Sequence, residues 1–168
     1  MLKFMGSLLL AGGATALGFL ASGRLDRRVS TLRALLGGLE LLEREISFRL
    51  TPMPELLERL AAQTDPPVDE LFAHCREGLD RLGEVSLGQL WREGLELLYL
   101  GEGERAVLAG LGDILGRYDS EGQQKALALT QSALERLLRD AGEERDRLGR
   151  VYRVAGTAAG AVLVILLV

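Results

Sequence analysis

An acidic chain of 168 residues, with 24 Asp and Glu against 20 Lys and Arg, lacks the basic face that nucleic-acid binding needs. Its single cysteine excludes an intrachain disulfide framework, and its single histidine leaves little material for a metal site or a Ser-His-Asp set. Aromatic residues make up 5% of the chain while Leu, Ala, Glu, Arg and Gly dominate, which is the composition of helices.

The chain opens on a run without charge, Phe4 to Ser22, of about 19 residues, close to the ~20 a helix needs to cross a bilayer. Arg24, Arg27 and Arg28 follow it directly. A cleaved signal peptide ending near Ala21-Ser22-Gly23 is the rival reading; arginines just past that site would hinder export, and no cysteine stands beside it. A second uncharged run, Val154 to Val168, holds about 15 residues or roughly 22 Å of helix. It reaches across if Val151 and Tyr152 join it and Arg153 snorkels; a buried soluble helix is its alternative. Arg145, Arg147, Arg150 and Arg153 precede it. Both arginine clusters thus face the middle of the chain, and cationic flanks stay cytoplasmic. The expectation is a membrane protein with transmembrane segments at 1–23 and 151–168, a cytoplasmic domain at 24–150, and both termini on the far side.

Beyond the first run, Leu25, Val29, Leu32, Leu36, Leu39, Ile46 and Leu50 recur at alternating steps of four and three, with Glu43 at one seam position. This predicts one long helix to about residue 50. Thr51-Pro52-Met53-Pro54-Glu55 ends it and starts the next, with Thr51 as cap, proline in the first turn and Glu55 at the helix start. Leu56, Leu57 and Leu60 mark a short helix to Gln63, and Thr64-Asp65-Pro66-Pro67 is a loop. A third helix shows Val68, Leu71, Phe72, Cys75, Leu79 and Leu82 on one face. Ser86 with Gln89 forms a capping box for a fourth, carrying Leu87, Leu90, Trp91, Gly94, Leu95 and Leu98. After Gly101-Glu102-Gly103-Glu104, a fifth carries Val107, Leu108, Leu111, Ile114 and Leu115. Ser120 with Gln123 is a further capping candidate. The last helix shows Leu127, Thr130, Leu134, Leu137, Ala141 and Leu148 and runs into the second uncharged segment. The fold class expected is all-α: an antiparallel bundle of about six helices, the first and last continuous with the terminal membrane helices.

Catalytic chemistry finds no foothold in these residues. No phosphate-binding loop is present. Gly101-x-Gly103-x-x-Ala106 mimics a dinucleotide loop, yet no strand precedes it and its two glutamates would repel a pyrophosphate, so it reads as a hinge or helix start. Cys75 falls on the apolar stripe of its helix and reads as core; His74 falls off it and reads as solvated. Trp91 shares its stripe with leucines and reads as packing. Glu43 and Glu45, two residues apart, do not share a helix face and make no acid–base pair. No catalytic residue, cofactor or metal is expected. One membrane motif stands out: Gly156 and Gly160 form a Gly-x-x-x-Gly within the second apolar run, and Gly12 with Ala16 a looser version in the first, spacings that let helix backbones approach.

In this order, the motifs resemble the stage III sporulation protein AB family of endospore-forming bacteria. They are the Met1-Leu2-Lys3 start before a Gly/Ala/Leu run, Arg24-Leu25-x-x-Arg28, and Leu41-Leu42-Glu43-x-Glu45-Ile46-x-Phe48-x-x-Thr51-Pro52-Met53-Pro54-Glu55. Trp91-Arg92-Glu93 and Leu111-Gly112-x-x-Leu115-Gly116-x-x-Asp119, followed by Gln123, complete them. The resemblance implies a non-enzymatic subunit of a secretion-like channel between mother cell and forespore. Its cytoplasmic domain would be similar to those of the type II secretion and type IV pilus platform proteins. It implies as partners a cytosolic secretion-type ATPase, other stage III sporulation membrane proteins and the lipid bilayer, and as location the mother-cell membrane around the forespore. Glu43, Thr51, Pro52, Asp119 and Gln123 enter as structural motif residues; the two glycines at Gly101-Glu102-Gly103-Glu104 depart from the family pattern. Exposed turn carboxylates distant from the bilayer, Glu102, Glu104 and Glu121, are the expected contact points for the ATPase. The alternative is a membrane-anchored helical regulator or chaperone that binds a soluble cytosolic partner outside any secretion machine.

Overall fold

The computed structural model describes residues 2–48, 51–115 and 120–167, with backbone alone at 2–22, 48, 120, 152–153 and 155–167. The chain is all-helical over these residues. Its six α-helices are α1 (Leu2–Phe48), α2 (Met53–Gln63), α3 (Val68–Gly78), α4 (Leu87–Leu95), α5 (Glu102–Gly112) and α6 (Ser120–Leu167), with a 3-10 turn at Leu79–Arg81. It divides into two units: residues 28–139, and residues 1–27 together with 140–168.

The larger unit is built by close helix approach. Helices α3 and α4 pack antiparallel: a Cβ placed on Gly78 would lie 2.4 Å from the Leu90 side chain, and one on Gly94 would lie 2.5 Å from Leu71. Helices α4 and α5 repeat the arrangement, with Gly88 against the Gly112 carbonyl and Gly112 against the Trp91 ring at 2.5 Å. The Trp91 indole is buried, tilts against Phe72 at 6.1 Å and donates its Nε1–H to Leu108 O at 2.8 Å. A buried indole needs such an acceptor, and here the carbonyl of the facing helix supplies it. Gly38 on α1 admits the Phe72 ring. Trp91 is core packing, as its stripe predicts.

The buried face of α1 differs in register from the predicted one. Val29, Leu32, Leu35, Leu39 and Leu42 are buried, as are Thr31 and Glu45, while Leu36 and Glu43 are half-buried. Paired leucines at 35–36 and 41–42 allow either choice on the sequence, and packing selects the rows through Leu35 and Leu42. Helix α3 ends at Gly78, earlier than its apolar stripe predicts, and Leu82 is 51% exposed and stands outside the core. Helix starts follow the sequence in part. Ser86 caps α4 by accepting from Gln89 N at 3.2 Å, but the Gln89 amide goes to Glu93 and does not close the box. Thr51 does not cap α2: Pro52 holds the N-cap position, and the Thr51 hydroxyl donates to Glu45 Oε2 at 2.8 Å.

Among the described residues, no helix is long and apolar enough to cross a membrane. The side chains of the first uncharged run, of nearly all of the second, and Gly156 and Gly160 with them, lie outside the described set. In the smaller unit, Arg145 lies 3.9 Å from Asp26 and pairs with Asp146, while Ala141 is buried.

Candidate functional site

The three carboxylates expected to meet a partner divide on burial. Glu102 opens α5 and is exposed, and Glu121 is exposed in the first turn of α6, paired with Lys125 at 2.7 Å. An exposed i,i+4 pair of this kind contributes little to stability. Glu104 is the correction. It is 1% exposed, so it cannot present a charge to a partner. Its carboxylate accepts from Gly101 N at 2.6 Å and from Arg28 Nε at 2.7 Å. The first bond satisfies an orphan amide at the start of α5 from the N3 position, one half of a capping box. The Gly101–Glu104 turn is therefore a helix start, as its sequence predicts. The reason it buries an acid is Arg28, which supplies the opposite charge from α1.

A second buried acid is Glu45, two residues from Glu43 and on a different face of α1. It is 5% exposed and accepts from Thr51 Oγ1 at 2.8 Å and Arg59 Nη1 at 3.2 Å, while Arg59 also holds Glu55 at 2.9 Å. This polar node joins the end of α1 to the first turns of α2 across the Thr51-Pro52 elbow. Its sequence signal is the spacing of Glu45, Thr51 and Arg59, invisible without knowing that the chain reverses at Pro52. Glu43 itself is half-buried at the margin of the seam, and its partner on α6 is a neutral amide: Gln131 Nε2 donates to Glu43 Oε2 at 3.0 Å. An amide suits a half-hydrated carboxylate, since no second full charge need lose its water. Gln123 is half-buried in the first turns of α6, and Asp119 lies outside the described residues.

Cys75 lies in the core as its face predicts, whereas His74 is less solvated than its face predicts, because α4 packs beside it. His74 is half-buried, 3.4 Å from Glu93. Cys75 is fully buried; burial, and secondarily the Glu93 carboxylate, push its thiol up from 9.0 to about 12, leaving it protonated and unreactive at neutral pH. Among the described residues no group of His, Cys, Asp and Glu is placed to hold a metal ion.

What the larger unit offers a partner is surface. One cleft of about 310 Å³ lies between the α2 start and the α4 and α5 ends, lined by Met53, Leu79, Leu82, Leu87, Asp113 and Leu115 among others. Apolar side chains also stand out at Leu97 and Tyr99 in the turn before α5 and at Leu129 on α6. Acids are thus closed inside as nodes that join helices, while several apolar side chains stand at the surface.

Comparison with known proteins agrees with that architecture. The profile of the family described as stage III sporulation protein AB matches residues 3–168. The chain belongs to the stage III sporulation protein AB family. Stage III sporulation protein AB of Bacillus subtilis (strain 168) is 30% identical, with 99% of each chain covered. A solved structure of stage III sporulation protein AB superposes with a TM-score of 0.65 at 31% identity, covering 72% of this chain and 98% of the other. Membership places the protein in stage III of sporulation.

Proposed function

We propose that this family member is a membrane-anchored platform subunit, a non-enzymatic scaffold that couples a cytosolic secretion-type ATPase to the membrane components of the stage III sporulation machinery. The observation that carries the reading is the pair of long helices. Helix α1 holds 47 residues and α6 holds 48, and each joins an uncharged, arginine-flanked run to residues of the larger unit. A helix that serves both as anchor and as bundle wall carries force or position between membrane and cytosol without chemistry. On this reading residues 24–150 face the cytoplasm of the mother cell, a topology that the arginine flanks of both uncharged runs support.

Such a scaffold acts through differential binding, and its net charge of −4 favours encounter with a basic partner face. The exposed acids that remain for it are Glu102 and Glu121. A fragment of residues 24–150, incubated with the cognate ATPase across a salt series, tests the coupling: retention at low salt that fades as salt rises is expected, and no retention at low salt by a folded fragment refutes direct coupling. Thiols introduced in the Pro66 loop are expected to label from the cytosol alone; labelling from the opposite side would overturn the topology.

A further inference from the structure

The turn that joins α4 to α5 sets apolar side chains on a fixed frame. Past α4 the chain stays tightly coiled: Glu96 N, Leu97 N and Leu98 N donate three residues back, to Glu93 O, Gly94 O and Leu95 O, and Leu100 N donates to Leu98 O. Successive residues of such a coil point about 120° apart. Leu98 therefore enters the core, at 3% exposure, and leaves Leu97 and Tyr99 outside at 51% and 49%. Arg105 Nη1 holds the turn from α5 by donating to Leu95 O at 2.9 Å, and the Glu104 carboxylate accepts from Gly101 N at its far end. Side chains on so fixed a backbone lose little freedom when they are covered.

The setting of these two side chains is acidic. From Glu93 to Arg105 the chain carries four glutamates against one arginine. Arg28 neutralises the buried Glu104. Glu96 pairs with Arg105 at 2.9 Å yet keeps 69% of its side chain exposed, and Glu102 is exposed and has no ion-pair partner among the described residues. Such carboxylates repel anionic lipid headgroups, and a second copy of the same turn would set acid against acid. They attract a cationic protein face. Tyr99 favours the same partner, because a guanidinium or ammonium is drawn to the face of its ring. The other exposed leucines of the unit lack this setting: Leu129 shares its helix face with Lys125, and Leu82 stands between Arg81 and Glu84.

We infer that Leu97, Tyr99 and Glu102 are the docking surface for the ATPase, and that its matching face carries arginine or lysine around an apolar recess. The two apolar side chains fill the recess, while Glu102 and Glu96 meet the cations at its rim. This rests on the reading that the protein couples to a cytosolic secretion-type ATPase. It selects the turn before α5 over the first turn of α6, where Glu121 is already paired with Lys125. Binding then has two parts. Burial of Leu97 and Tyr99 holds the complex at any salt, and the carboxylates strengthen the encounter at low salt.

The test immobilises the full-length chain in detergent and measures its affinity for the purified cognate ATPase at low and at high salt. Leu97→Ser combined with Tyr99→Ser is expected to weaken binding about tenfold at both salts. Glu102→Lys is expected to weaken it several-fold at low salt and far less at high salt. Gly103→Leu keeps folding apart from binding. Gly103 is exposed, a Cβ there would meet nothing within 4 Å, and leucine is the better helix former, so the fold tolerates the change. Its side chain stands next to Glu102 and is expected to obstruct the partner, weakening binding several-fold. Leu129→Ser and Glu121→Gln are the controls and should leave binding unchanged. If the unaltered chain binds and the three turn variants bind equally well, or the two controls lose as much as they do, the site is overturned while the coupling stands. If the unaltered chain does not bind at low salt, the coupling itself fails and the site fails with it.

Discussion

Breaking the ion pair between Arg28 and Glu104 should weaken the larger unit far more than its single salt bridge suggests. Glu104 is 1% exposed and Arg28 29%, so the two substitutions are not equivalent. Arg28→Ala strands a carboxylate inside the fold. Loss of one partner from a fully buried pair costs about 3–5 kcal/mol. Glu104 retains its bond from Gly101 N, so the lower end applies, about 3 kcal/mol. Glu104→Ala instead leaves a partly hydrated guanidinium and loses one helix-start bond, for about 2 kcal/mol. The double variant removes the stranded charge along with its partner, so the two costs should fail to add by about 2 kcal/mol. Urea denaturation of residues 24–150 measures all three. With a slope of about 2 kcal/mol per molar, Arg28→Ala should lower the midpoint by about 1.5 M. Single effects that add to within about 0.5 kcal/mol would refute the pairing. An Arg28→Ala cost no larger than that of an exposed ion pair would refute the burial.

Three further outcomes are expected. Gly112→Ala should destabilise by about 1–3 kcal/mol, because its Cβ would sit 2.5 Å from a Trp91 ring fixed by its bond to Leu108, whereas Gly37→Ala, with nothing within 4 Å, should stabilise by about 0.5–1 kcal/mol. Equal effects in thermal melts would contradict the close approach of α4 and α5. Glu43→Leu should leave the unit folded by circular dichroism and shift stability by about 1 kcal/mol at most, since one neutral-amide bond to Gln131 is exchanged for apolar burial; unfolding would show that the acid is indispensable at the seam. The raised Cys75 thiol gives a sign in pH. The unfolded thiol ionises near 9 and the folded one near 12, so its contribution is full below pH 9 and is lost as pH rises from 9 towards 12, at about 1.4 kcal/mol per unit at most. Cys75→Ala should flatten that part of the stability profile, and a folded chain that reacts with a thiol reagent at pH 8 as fast as an unfolded one would contradict the burial.

Much of the architecture was legible in order and kind. Six helices, the break at Thr51-Pro52, the loop at Thr64–Pro67 and the helix start at Gly101 all follow from local signals: a 3.6-residue period, proline, and a glutamate three residues into a turn. Register was harder. In α1 the leucines come as neighbours, at 35–36 and 41–42, so two adjacent stripes are equally apolar and the sequence favours neither. The choice is made by what arrives from elsewhere, such as the Phe72 ring at Gly38. The same one-residue rotation moves Glu43 to the margin and carries Glu45 to the buried face.

That rotation also decides which acids are available for recognition. Read along the chain, Glu45, Glu102, Glu104 and Glu121 look alike: glutamates close to helix ends. Burial divides them according to whether an arginine arrives from a distant segment, Arg59 at Glu45 and Arg28 at Glu104, and such long-range pairs leave no local signature. The two buried acids share a geometry. Glu45 sits in the last turn of α1 and ties it to α2, and Arg28 sits twenty-four positions before Pro52 and ties α1 to α5. Helix α1 is thus clamped by charge near each end of its bundle segment, with the leucine rows between. For a platform whose proposed work is to hold a cytosolic partner at a set position relative to a membrane, that is the wall on which rigidity matters. Loosening either clamp should therefore weaken coupling to the ATPase before it abolishes folding, in the order of the stability losses, and a variant that lost stability at Arg28 while retaining full coupling would separate the wall from the work.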